Sequence, residues 1–141
     1  MNGAVITSED LRAAHLGTVA STISRLAAAQ QQAVTWALTI SAAMTTASVA
    51  LDSPLPAVAG IVACTALWMT HAVHLTAERA WRTHYADILD GGPVTATPRE
   101  LLGPSWSHVG TWRAALSWSV APLHGAITAS LLVIAALVFL I

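Results

Sequence analysis

The sequence predicts an all-α polytopic membrane protein: three transmembrane helices, with an N-terminal amphipathic helix continuous with or leading into the first span. Three observations predict it. Residues 55–75 contain no Asp, Glu, Lys or Arg, and about 20 uncharged, mostly apolar residues suffice to cross a bilayer as a helix. That run ends abruptly in Glu78, Arg79, Trp81, Arg82 and Tyr85, the residue types that anchor a helix end among lipid headgroups. Of the 141 residues, 55% are hydrophobic and only 9% charged, with a mean hydropathy of +0.64. A soluble domain carries about 25% charge, so this chain lacks the means to coat a water-facing surface.

At this length a single membrane domain, 1–141, is expected. Ser8-Glu9-Asp10 reads as a helix start, with Ser8 as cap and acids in the first turn. Leu11, His15, Val19, Ile23 and Leu26 then fall along one face of a cytoplasmic helix over 8–32. Arg12 and Arg25 keep this segment at the membrane surface or in water. No small-residue cleavage site follows a short apolar core, so the segment does not read as a signal peptide. The first span is 33–51, with Trp36 near its start. Nothing breaks the helix between Leu11 and Leu51, which predicts one rod of roughly 60 Å, about twice the hydrocarbon thickness.

Asp52-Ser53-Pro54-Leu55-Pro56 predicts a tight reversal into the second span, 55–77. Residues 78–112 form a cytoplasmic extension and loop, in which Asp90-Gly91-Gly92-Pro93, Pro98, Gly103 and Pro104 act as breakers. One short helix over 97–102 is expected within it, capped by Thr97 with Pro98 at the first position. The third span is 114–141, entered through Trp112, Arg113 and Trp118.

All six arginines fall on one side of this arrangement, two before the first span and four between the second and third. The positive-inside rule then predicts a cytoplasmic N-terminus and an outside C-terminus. A net charge of −1 and scattered arginines without lysine form no basic stripe, which argues against a nucleic-acid partner. Cys64, alone in the second span, reads as a small packing residue. The chain has no Gly-rich phosphate motif, no Gly-x-Ser-x-Gly elbow, no His-Glu-x-x-His and no paired acids within a span, which argues against an enzyme.

Three groups of residues are candidates for function. Thr35, Thr39, Ala42 and Thr46 form a hydroxyl-rich stripe at helical spacing, suited either to close helix packing or, in an oligomer, to lining a hydrated pore. Glu78, Arg79 and Arg82 cluster at the helix exit, with Glu78 and Arg82 at the i,i+4 spacing of a helical ion pair; they serve as an anchor, a gate or a partner-docking point. His71 and His74 share a helix face and, with His124, are candidate ligands for a metal or haem; the plainer expectation is interhelical hydrogen bonding, with no cofactor. His15, His84 and His108 read as surface residues.

Residues 67–85, Leu-Trp-Met-Thr-His-Ala-Val-His-Leu-Thr-Ala-Glu-Arg-Ala-Trp-Arg-Thr-His-Tyr, resemble the signature of a family of small bacterial membrane proteins. His15-Leu16, Ile23-Ser24-Arg25-Leu26 and Trp36 are similar to its N-terminal helix and first span. These proteins look like the SLATT-type effectors that accompany anti-phage systems. The resemblance implies assembly on the inner membrane and its permeabilisation. The chain departs from the pattern where it has His71 for an acid, His74 for an aromatic and Thr35 for a basic residue. The leading expectation is a homo-oligomeric, channel-like or membrane-disrupting effector held inactive until a cytoplasmic protein or small molecule arrives. The alternatives are a metal- or haem-binding membrane subunit using His71, His74 and His124, and an adaptor that recruits a soluble partner to the bilayer.

Overall fold

A computed structural model describes residues 8–91 and 108–140. The described residues form four helices and no strand: α1 (Ser8–Ala50), α2 (Leu55–Leu89), α3 (His108–Ala115) and α4 (Ala121–Leu140). The expected helix over 97–102 lies outside the described residues. α1, α2 and α4 are each long and apolar enough to cross a membrane, and this is an all-α membrane protein with three such helices.

α1 is one unbroken helix of 43 residues, about 64 Å at 1.5 Å per residue, and α2 has 35 residues, about 52 Å. α4 has only 20, about 30 Å, the thickness of the hydrocarbon layer. α4 runs antiparallel to α2, since His124 meets His71 near one end and Leu131 lies against Gly60 further along. All three helices therefore share one membrane-thick bundle. Among the described residues, α1 and α2 continue beyond the start of α4 as a two-helix stalk.

Small side chains set the packing of the bundle. Ala33, Ala37 and Ser48 of α1 and Ala57, Gly60 and Cys64 of α2 are buried, and Ile127 and Leu131 of α4 close the core over them. In lipid such residues stabilise helix pairs by letting backbones come close. Gly60 shows how close: a Cβ there would stand 2.9 Å from the Cβ of Met44 and 3.4 Å from Leu131 Cδ1. The Cys64 thiol donates to the Ala37 carbonyl at 3.5 Å.

The reversal is built around Ser48. Asp52 adopts a left-handed conformation (φ +46°). Its N–H donates to Val49 O at 3.4 Å, and Ser53 N–H donates to Ser48 O at 3.1 Å. This is the Schellman arrangement that satisfies the last carbonyls of a helix, with aspartate in the place usually held by glycine. Pro54 offers α2 no side-chain cap. The Ser48 hydroxyl, fully buried, reaches across from α1 and accepts the Ala57 N–H at 2.8 Å. One serine thus closes α1 through its carbonyl and caps α2 through its hydroxyl.

The third span differs from the expected continuous helix over 114–141. The chain turns between α3 and α4, where Ser117 O accepts the N–H groups of Val120 and Ala121 at 3.0 and 2.9 Å. Pro122 is the physical reason. It has no N–H to donate one turn back, which suits the first turn of a new helix and not the middle of an old one.

Ser48→Ala should lower stability by about 1 kcal/mol, the usual cost of a lost cap. Gly60→Ala should cost about 1–3 kcal/mol through overpacking against Met44. Unfolding of the purified protein in mild detergent, followed by its helical signal, measures both.

Candidate functional site

Where α4 begins, a shoulder is left from which the stalk emerges, and a cleft of about 610 Å³ lies there. α1 lines it with Ala27, Gln30, Gln31 and Val34; α2 with His71, Leu75, Glu78, Arg79 and Arg82; the α3–α4 turn and α4 with Ser119 and Leu123. The arrangement is amphipathic, with Val34, Leu75 and Leu123 supplying apolar wall and the glutamines and arginines polar rim.

Glu78 is buried, at 5% exposure, where a bare carboxylate would be costly. Two donors satisfy it: the Gln30 amide from α1 and the Arg82 guanidinium one turn along α2. Arg82 itself is 66% exposed, so the pair contributes little to stability. Its effect is positional, fixing the guanidinium at the rim of the cleft. Arg79 is exposed, lines the same cleft and has no ion-pair partner among the described residues. The structure therefore brings Glu78, Arg79 and Arg82 together and adds Gln30, which the sequence did not single out.

His71 and His124 also come together, Nδ1 to Nε2 at 3.0 Å. Their ring centroids are 5.2 Å apart, so the two nitrogens meet nearly head-on, as in one N–H···N hydrogen bond. Trp68 stacks on the His124 ring at 5.9 Å and donates its indole N–H to Ala115 O at 3.0 Å, tying α2, α3 and α4 at one point. His124 Nδ1 is buried without a hydrogen-bond partner among the described residues. His74 is half-buried and makes no side-chain hydrogen bond to either of them. Among the described residues no group of three or more His, Cys, Asp or Glu side chains is placed to hold a metal ion.

His15 and His84, expected as separate surface residues, meet across the stalk with their Nε2 atoms 3.3 Å apart. Trp81 packs edge-on against His84 at 5.9 Å, and Val19 and Ile88 are buried along the same stalk. The face predicted for Leu11, His15, Val19, Ile23 and Leu26 contains these α1 contacts, but it says nothing of where on α2 they fall.

Thr35, Thr39, Ala42 and Thr46 are all exposed. At about 100° per residue they lie opposite Ala33, Ala37 and Ser48, so the small-residue face used within the protomer is the other one. The three threonine hydroxyls donate to carbonyls of their own helix, Gln31, Thr35 and Ala42, at 3.0, 2.9 and 3.0 Å. No family model, curated protein or solved structure matches this chain.

Replacing one member of the buried histidine pair strands the other. His71→Leu should cost about 1–3 kcal/mol, the desolvation cost of an unpartnered polar group, whereas His71→Leu/His124→Leu should recover part of that loss. Melting of the single and double variants in detergent completes the cycle.

Proposed function

We propose that this chain is the subunit of an oligomeric channel or membrane-disrupting effector in a bacterial inner membrane, switched by a cytoplasmic signal received on the α1–α2 stalk. The observation that carries this reading is the outward placement of Thr35, Thr39, Ala42 and Thr46 along the apolar half of α1. The core of one protomer is filled by Ala37, Ala57, Cys64, Ile127 and Leu131, so a conduit has to form between copies. A hydroxyl bonded to its own helix rests in lipid at low cost, and the same hydroxyl retains acceptor capacity for water or a neighbouring copy. The stripe is thus compatible with both a lipid-facing and a pore-facing state.

The distribution of charge supports the orientation. Arg12, Arg25, Arg79 and Arg82 lie on the stalk and shoulder, and the Ser48–Ala57 corner has no basic residue. The positive-inside rule then assigns the stalk to the cytoplasm and the end of α4 to the outside. The resemblance of 67–85 to SLATT-type proteins supports an effector in anti-phage defence, with a cytoplasmic protein or small molecule as its trigger.

Expression of the wild type in bacteria should depolarise cells once triggered, and Thr39→Leu/Thr46→Leu should reduce the leak to background by making the lining dewet while preserving the fold. Because Cys64 is buried, Thr39→Cys introduces one exposed thiol, and it should cross-link between copies in the membrane. A monomer that neither cross-links nor leaks would overturn the proposal.

A further inference from the structure

We propose that the shoulder cleft binds the phosphate of an anionic phospholipid headgroup. The level of the cleft is the first support. α4 is about as long as the hydrocarbon layer is thick, so its start at Ala121 marks the boundary between acyl chains and headgroups, and Leu123 on its first turn lines the cleft. The neighbouring Trp112 and Trp118 are 61% and 92% exposed, as expected of indoles seated in a headgroup belt.

Charge is the second support. The carboxylate of Glu78 is already engaged by Gln30 and Arg82. Arg79 adds a further positive charge at the rim, so the cleft is positive by one with its histidine neutral. Arg79 and Arg82 are three residues apart on one helix and line the same opening. Guanidinium groups present paired N–H donors that match phosphate oxygens.

The third support separates a lipid from a free phosphate. A cleft of about 610 Å³ falls in the range of organic-ligand sites and is far larger than a phosphate ion requires. Its wall of Val34, Leu75 and Leu123 is apolar and lies at the boundary where α4 begins. An inorganic anion would leave that wall without contacts, whereas a phospholipid covers it with its glycerol and upper methylenes. Basic pockets between membrane helices recognise anionic headgroups in this way. The proposal concerns the single protomer and does not rest on conduction.

The test uses the full chain in detergent, with lipid retention read by native mass spectrometry and stability by melting. Phosphatidylglycerol should bind and raise the melting temperature; phosphatidylcholine and inorganic phosphate should do so much less. Arg79→Gln should weaken phosphatidylglycerol binding about tenfold, the loss of one hydrogen bond to a charged group, and Arg79→Lys should recover part of it. Arg25→Gln, on the exposed stalk where Arg25 bonds Thr22, should bind as wild type. Equal binding of the two lipids by the wild type, full stabilisation by inorganic phosphate, or undiminished binding by Arg79→Gln would each overturn the proposal.

Discussion

In a bilayer an apolar side chain gains little by leaving lipid for protein, so a thin bundle is held by how closely its backbones approach and by leaving no polar group unsatisfied. The α1–α2 contact meets both conditions in one stretch. Gly60 against Met44 and Ala37 against the Cys64 thiol bring the helices together, and Ser48 satisfies backbone groups of both at the corner. Once these two helices are fixed, α4 needs only to cover the groove with Ile127 and Leu131. The polar contacts then concentrate at the other end, where water is near.

That concentration follows from unequal helix lengths. α4 is membrane-thick while α1 and α2 run well past it, so a step forms where a third helix drops out. Groups too polar for the hydrocarbon yet half-enclosed by helices collect at this step: Gln30, Glu78 and Arg82 in one network, and His71 with His124 in another just below. Trp68 joins the second network to α3 through Ala115 O. The shoulder is thus both the most polar part of the membrane bundle and the place where all four helices are tied.

Much of this was legible in the sequence, for identifiable reasons. Uninterrupted helical spacing from Leu11 to Leu51 foretold α1, and Asp52, Pro54 and Pro56 the corner. The Glu78–Arg82 pair followed from i,i+4 spacing alone. What was not legible depends on which face of each helix turns inward. In the α1 span two opposite faces carry small residues, so Thr35, Thr39, Ala42 and Thr46 stood out by chemistry while Ala33, Ala37 and Ser48 do the packing. The His15–His84 and Gln30–Glu78 contacts span 69 and 48 residues, separations that no local pattern encodes. The α3–α4 turn did carry a signal, in Pro122, but Ala114, Ala115, Leu116 and Val120 before it extend the apolar run of α4 and obscured the break.

The placement of that turn bears on how a signal could reach the membrane. α1 and α2 cross the shoulder without a break, so the stalk has no joint at which to bend independently of its spans. A rotation imposed on the stalk, where His15 meets His84, is therefore carried along α1 to Thr35, Thr39 and Thr46. α4 differs, because the turn between Leu116 and Val120 interrupts the helix ahead of it. Under the proposed function the moving part is the α1–α2 pair, and the surface it moves against is α4. The His71–His124 bond crosses the boundary between them, and the Glu78 network lies beside it within the α1–α2 pair. A ligand in the cleft would touch α1, α2 and α4 at once.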